Sequence, residues 1–488
     1  MVTENLIFER YSLIEQDIVI PESPLKWCTV SLTDVISRGK RLEASVFDVE
    51  AKQAREQIEK SKYGTVSLSG DDGIIDTAYY PGRFKRIYCD KENGVDFFLP
   101  SQMTDIYPKA EKYISKLTKC DIDELRLKPK TLLLTRSGTI GTISCVSNTI
   151  KNCVFSDDVI RITFRRECDL GYVYAFLKSK VGNLVLKTNG YGSVITHLEP
   201  EHLNEIRIPN APDVLKSRIN DLIVRSYALR DESNELIDEA TKLLVDELHL
   251  PPIRVFQNNT EPVNTFSVKM SNLRLRLDAS YHVPIADAIT EYLRTYAAEV
   301  TTIGDPRISK DVILPGRFKR VYVDEGHGVV FFSGKNIKEL DPCDKRYLSF
   351  SQHAKKIKEE LLIRENMILV TCSGTIGHVM LVPKHWDGWA MTHDIIRYVA
   401  QEDINGYTYI WLNSDYANVL LRSLSYGSVV QHIEKEHFAE IPIPLLKNQE
   451  VQQRINNLAL TANEKRYEAY NLEQEALRIM NDEVIFAK

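Results

Sequence analysis

The second half of the chain repeats the first. RLEAS at 41–45 returns as RLDAS at 276–280, PGRFKR at 81–86 returns unchanged at 315–320, and SGTIG at 137–141 returns at 373–377. YGSV at 191–194 recurs at 426–429, His197 matches His432, and IRIP at 206–209 matches IPIP at 441–444. Every shift lies between 234 and 236 residues, so a unit of about 235 residues occurs twice with only small insertions. A chain built this way has to use one fold twice, and 488 residues are enough for each copy to bury its own core.

Each copy ends in a segment of a different kind. From Asp213 to about Leu250 the turn residues stop and a helical pattern runs until Pro251-Pro252 breaks it. Leucine occupies every seventh position there, at Leu215, Leu222, Leu229, Leu236, Leu243 and Leu250, with Ile219, Ser226, Ser233 and Ala240 on a second register. The counterpart after Asn448 places Val451, Leu458, Lys465, Leu472 and Ile479 on the first register and Ile455, Ala462, Ala469 and Ala476 on the second. A heptad seam of this length predicts that the two helices pair as a coiled coil, with the small second-register residues allowing close approach. At 1.5 Å per residue the helix would be roughly 54 Å long. An amphipathic helix lying on its own domain is the alternative, although it would ask for a wider apolar stripe. Lys465 interrupts the seam.

The expected organisation is therefore a globular domain at 1–212, a helix at 213–250, a second globular domain at 251–448 and a second helix at 449–488. Within the globular parts, short apolar runs such as 131–135, 159–163, 367–371 and 395–399 alternate with turn signals, and helical stretches at 172–185 and 407–421 intervene. This predicts a mixed α/β (α+β) fold, repeated with pseudo-two-fold character.

Several function classes drop out. Eight cysteines form no CxxC pair and no zinc-finger cluster, so neither a metal site nor a disulfide framework is expected. No secretory signal opens the sequence and no window has the roughly 18 consecutive apolar residues of a membrane span, which points to a soluble cytoplasmic protein. There is no GxxxxGK[ST] phosphate loop, no GxSxG elbow, and neither the cofactor loop nor the catalytic loop of a methyltransferase. The expectation is a protein without catalytic residues or a cofactor of its own.

What recurs instead suits anions. PGRFKR places Arg83, Lys85 and Arg86, and again Arg317, Lys319 and Arg320, where a Pro-Gly turn enters a strand. Arginine can fork onto phosphate or guanine, and lysine supplies a point charge, so DNA contact is one reading and a solvated turn the other. SGTIG follows a strand-like run and offers Ser137, Thr139, Ser373 and Thr375 with exposed backbone N–H groups, beside Arg136 in the first copy. A tight turn that simply needs glycine is the competing account. Tyr191, Ser193, Tyr426 and Ser428 of YGSV complete the candidate contacts, while His197 and His432 read as capping or packing residues.

The order of these strings, repeated and each time followed by a long helix, resembles the specificity subunits of type I restriction-modification systems. The resemblance runs from about Val30 to Glu483 and is carried by SGTIG, by YGSVITHLEPEHLNEIRIP at 191–209 and by YGSVVQHIEKEHFAEIPIP at 426–444. It implies two target-recognition domains that each read half of a split double-stranded DNA target, with helices paired antiparallel as spacer. It also implies two adenine methyltransferase subunits that bring S-adenosylmethionine, and it allows for a motor-nuclease subunit. A duplicated protein-protein scaffold without DNA contact remains the other reading of the same pattern.

Charge fits the first reading once it is divided. The formal net charge of -6 would argue against a nucleic-acid binder. Residues 1–212 hold 29 basic and 29 acidic side chains and residues 251–448 hold 23 of each, so the whole excess lies on the helices. Residues 307–358, which contain the second PGRFKR, carry 12 basic against 6 acidic side chains.

Overall fold

Strands form where the apolar runs were expected, and the two copies use them identically. A computed structural model describes residues 27–37, 40–190, 197–256, 266–273, 276–342 and 345–487. In the first copy an antiparallel sheet takes the order Ile75–Tyr79, Val159–Phe164, Leu132–Thr135, Ile143–Cys145. A second sheet takes the order Tyr88–Cys89, Lys112–Ser115, Gly94–Phe98, Val154–Phe155, with its last pair parallel. Thr65–Ser67 pairs with Arg207–Pro209. The second copy reproduces this order, with Ser309–Ile313, Ile395–Ala400, Ile368–Thr371 and Val379–Leu381 in one sheet. Its other sheet runs Tyr322–Val323, Arg346–Ser349, Gly328–Phe332, Ala390–Met391, and Glu299–Thr302 pairs with Pro442–Leu445.

One buried arginine ties the two sheets together in each copy. Arg161 lies on a central strand and donates only to the backbone carbonyls of Val159 (2.8 Å), Leu125 (3.1 Å) and Phe155 (3.2 Å). Arg397 does the same toward Ile395 (2.7 Å), Met391 (2.5 Å) and Leu361 (3.2 Å). Phe155 and Met391 belong to the short parallel strands of the second sheet, so each guanidinium pins that strand without any carboxylate.

The helical stretch expected at 172–185 is two helices, Cys168–Lys178 and Lys180–Thr188, because Ser179 leaves helical geometry and its hydroxyl caps Gly182 N–H at 3.0 Å. Ser414 breaks its counterpart into Asn405–Leu412 and Asp415–Ser423 in the same way. The first helix of each pair seats a long helix by backbone contact. A Cβ on Gly171 would lie 2.6 Å from Asn220 Cα, and one on Gly406 would lie 2.2 Å from Asn456 O. The glycine N–H groups donate to the Asn220 and Asn456 side chains at 3.0 and 2.7 Å.

The long helices span Asp213–Glu247 and Gln449–Ile479. The chain divides into two compact units, one made of residues through Asp231 plus Glu468 onward and the other of Glu232–Tyr467. Each long helix therefore contributes a segment to each unit. In the first, Ser226 donates to Ala469 O at 2.7 Å, and Ile219 and Ile223 share a core with Ala476, Ile479 and Met480. In the second, Ile237, Ala240 and Leu244 share a core with Ile455, Ala459 and Ala462. Rising numbers on one helix meet falling numbers on the other, so the segments pair antiparallel within each unit.

The seam itself sits on the second register. Ile219, Ser226, Ser233, Ala240, Ile455, Ala462, Ala469 and Ala476 are all fully buried. Of the leucine row Leu229, Leu250 and, on the second helix, Ile479 are buried, whereas Leu215, Leu222, Leu236, Leu243, Leu458 and Leu472 are half-buried on the shoulder. Small residues bring the axes close, and the bulkier leucines then fit only beside the line of contact. Lys465 lies on that shoulder as well, bonded to Glu232 at 2.6 Å, so it does not interrupt the seam.

One seam position breaks the symmetry. Arg230 and Arg466 occupy equivalent places, but the residue facing Arg230 is Glu473, whose own counterpart is Ile237. Fully buried Glu473 binds Arg230, Lys178 Nζ (2.6 Å) and the Tyr174 hydroxyl (2.6 Å). Burial by itself would raise the Glu473 carboxyl, but Lys178 and Arg230 outweigh it and hold the carboxyl down to about 2. A carboxyl depressed from 4.5 in the unfolded chain contributes stability above pH 4.5 that is lost as the pH falls toward 2. Glu473→Gln, which strands two cations in the interior, is expected to cost about 3–5 kcal/mol in chemical denaturation. The variant should also lose the acid sensitivity of that unit between pH 4.5 and 2, measured by pH-dependent melting.

Candidate nucleic-acid interface

PGRFKR enters the second sheet of each copy with an alternating pattern that is the same twice. Proline is buried, the phenylalanine and last arginine are half-buried, and the first arginine and lysine are exposed. Phe84 packs edge-on against Phe97 at 6.5 Å between centroids, and Phe318 against Phe331 at 6.4 Å. Alternation then turns Arg83 and Lys85, and Arg317 and Lys319, outward. Among the described residues these four make no hydrogen bond or ion pair.

The third cation of the motif turns inward. Arg86 donates to Ser156 Oγ (3.0 Å), Asp157 (2.6 Å) and Asp158 (3.3 Å) and lies over the Phe97 ring. Arg320 reaches Thr392 Oγ1 at 2.9 Å and His393 Nδ1 at 3.3 Å and lies over Phe331. Both brace the turn that follows the parallel strand, and neither presents its charge freely to solvent.

SGTIG is a tight turn that needs glycine: Gly138, Gly141, Gly374 and Gly377 all have φ between +73° and +94°. Thr135 and Thr371 close it by donating to Thr139 O and Thr375 O at 2.6 and 2.7 Å. Thr139 and Thr375 are exposed, Ser137 and Ser373 half-buried, and none of the four hydroxyls has a hydrogen bond among the described residues. Ser137 and Ser373 each pair with the repeat histidine, His197 or His432, in a single β-bridge. Arg136 is different. It is 5% exposed, stacks 4.1 Å over Tyr80 and bonds Glu199 at 2.5 and 3.3 Å, which makes it an interior ion pair.

Tyr191 and Ser193 lie outside the described residues. In the second copy Ser428 is exposed, and the Tyr426 hydroxyl donates to Glu434, a bond that together with burial pushes the phenol up to about 12. Here the three strings meet. Arg317, Ser373, Tyr426 and His432, with Cys372 and Asp394, line one cleft of about 370 Å³. Burial pushes the Cys372 thiol up to about 12, so it is neutral at physiological pH. Among the described residues no His, Cys, Asp and Glu group could hold a metal ion, and no helix is long and apolar enough to cross a membrane.

The structure adds groups that the strings did not mark. Lys112 lies 5.1 Å over the exposed Tyr88 ring, and Arg346 lies 5.6 Å over exposed Tyr322, at equivalent strand positions next to PGRFKR. Their only sequence signal is a cation retained before Tyr113 and Tyr347. The RLEAS/RLDAS arginines cap the helix that leads into YGSV. Arg41 donates to Asn189 O and Gly190 O at 3.3 and 2.8 Å, and Arg276 to Leu424 O and Ser425 O at 2.9 and 2.7 Å. Two shallow grooves also lie at equivalent places on the long helices, one floored by Val214, Arg218, Leu222 and Leu472, the other by Gln453, Arg454 and Leu458.

Residues 326–458 match the family described as type I restriction modification DNA specificity domain. No curated protein matches the sequence significantly. Among solved structures, the type I restriction-modification S subunit from M. genitalium is similar at 14% identity, over 86% of this chain and 95% of that one, with a TM-score of 0.31. An HsdS subunit from Thermoanaerobacter tengcongensis is similar at 12% identity, over 86% and 100%, with a TM-score of 0.26. A chain from a structure on complex assembly and conformational transition of the type I R-M system is similar at 14% identity, over 82% and 95%, also at 0.26. Scores at this level leave the fold to be described from the chain itself.

Interior and outward cations should separate cleanly by stability. Arg136→Ala, which takes the guanidinium away from Glu199, is expected to cost about 3 kcal/mol in chemical unfolding. Arg83→Ala and Lys85→Ala should stay within about 0.5 kcal/mol of the parent.

Proposed function

Starting from a chain whose residues 326–458 are a type I restriction modification DNA specificity domain, we propose that the protein is the DNA-recognition subunit of such a system. That family recognises DNA and does no chemistry on it, in keeping with a chain that carries no cofactor loop. The observation that carries the reading is the twice-repeated pair of outward, unpaired cations, Arg83 with Lys85 and Arg317 with Lys319. A solvated turn has no need to hold two cations outward in the same alternation in both copies. Phosphate neutralisation by such cations supplies affinity and salt dependence. Ser137, Thr139, Ser373, Thr375 and Ser428, whose hydroxyls have no hydrogen bond among the described residues, are assigned to the same surface, and Lys112 and Arg346 add cations to it. Arg86, Arg136 and Arg320 are assigned to bracing this surface, not to touching DNA.

Two copies of one recognition fold suit a bipartite target, one half-site for each, with the gap set by the long helices. The paired grooves on those helices support two copies of the same partner, which in this reading is an adenine methyltransferase subunit carrying S-adenosylmethionine. A motor-nuclease subunit would join through that assembly. The site of action is the cytoplasm, where the DNA is.

Footprinting of the chain with its methyltransferase tests the proposal, and a two-part consensus separated by a fixed gap is expected. Arg83→Ala and Lys85→Ala should each weaken binding and lower the salt slope by about one, with protection reduced at one half-site. Arg317→Ala and Lys319→Ala should do so at the other. Unchanged affinity and slope in all four would return PGRFKR to a structural turn, and one continuous protected site without a two-part consensus would overturn the DNA-recognition reading.

A further inference from the structure

Position 136 and its counterpart 372 differ within an unchanged frame. Arg136 N–H donates to Asp158 O at 3.1 Å and Arg136 O accepts from Leu198 N–H at 2.8 Å. Cys372 N–H donates to Asp394 O at 3.1 Å and Cys372 O accepts from Ile433 N–H at 2.9 Å. In the first copy the Arg136 guanidinium fills the space this frame encloses, held by Glu199, 3.8 Å from Asp158 and stacked on Tyr80. The second copy keeps both carboxylates, as Glu434 and Asp394, but has lost the cation. In its place is the open cleft of about 370 Å³, with Cys372, Asp394 and Glu434 in its wall. One copy thus displays the ligand chemistry that the other leaves vacant, namely a planar group of N–H donors between two carboxylates.

The acids are only partly engaged. Asp394 accepts from Thr392 Oγ1 at 3.1 Å and has His393 Nε2 at 3.3 Å, and Glu434 accepts the Tyr426 hydroxyl through one oxygen. The cleft opens beside Arg317 and Ser373, on the surface assigned above to DNA. Arg317 and Lys435 in the same wall suit phosphate, whereas the carboxylates of Asp394 and Glu434 suit a donor. On a base-pair edge the donors are the exocyclic amino groups, which Asp and Glu accept in the major groove.

We propose that this cleft is a specificity pocket for the exocyclic amino group of a cytosine or adenine in the half-site read by the second copy. Arg136 occupies the equivalent pocket of the first copy, so that copy reads its half-site without such a contact. The inference rests on the DNA-recognition reading.

The test selects bound duplexes from a random library with the full chain in complex with its methyltransferase. Cys372→Arg supplies in cis the guanidinium that the first copy already has. It should lower the preference for cytosine or adenine at one position of the second half-site by about tenfold or more, leaving the first half-site consensus intact. Glu434→Gln, an exposed and shape-preserving change, should relax the same position and serves if Cys372→Arg does not fold. A second half-site unchanged in both Cys372→Arg and Glu434→Gln overturns the pocket alone. Loss of methyltransferase assembly by folded Cys372→Arg overturns it in favour of a partner's cationic side chain in the cleft. A parent complex that selects no consensus at all overturns the DNA reading on which the pocket depends.

Discussion

Backbone contact between a glycine and a long helix is the constraint around which each copy is arranged. Gly171 on Asn220 and Gly406 on Asn456 allow a helix of the globular part to approach a long helix more closely than any side chain would permit. The asparagine amides satisfy the glycine N–H groups at the point where water is excluded. The helices behind those glycines end at Ser179 and Ser414 and restart at once, and the restarted helices end where Arg41 and Arg276 cap their carbonyls. The orientation of the loop strings therefore follows from how closely the long helix is seated.

The sequence made the duplication, the mixed α/β class, the strand runs and the long helices legible, because repeats and periodicity are properties of the string itself. The cations of PGRFKR were legible only in part, since Arg83, Lys85, Arg317 and Lys319 are exposed as expected while Arg86 and Arg320, marked with them, turn inward. What escaped was everything set by partners distant in sequence. The leucine row looked like the seam because leucine is the larger hydrophobe, yet the line of contact went to serine and alanine, which let the axes close. Arg136 looked like a surface cation beside a turn, and only Glu199, 63 residues later, shows it to be interior. Lys112 and Arg346 carried one shared cation among many and became visible only once Tyr88 and Tyr322 lay beneath them.

Two differences between the copies change charge and leave the backbone alone. Arg136 against Cys372 and Glu473 against Ile237 are changes of ionic character inside conserved hydrogen-bond frames. A duplicated fold can specialise in this way without loss of packing, because the frame is held by main-chain bonds that do not depend on the altered side chain. The seam at Arg230 holds a buried ion pair where the equivalent Arg466 lies beside the Ser233 and Tyr409 hydroxyls, and such a pair favours one register of pairing over others.

The unit that starts near the amino end is closed by residues from the carboxyl end. Gln57 donates to Ile485 O at 2.9 Å, and Ala476, Ile479, Met480, Val484 and Ile485 belong to the same core as Ala54 and Ile58. During synthesis the first unit emerges from the ribosome long before the segment that completes it, whereas the described residues of the second lie within one continuous stretch. Order of birth and order of completion are thus reversed. Until the last turn of helix is released, the earlier-made half presents bare seam residues to whatever chaperone or partner meets it first.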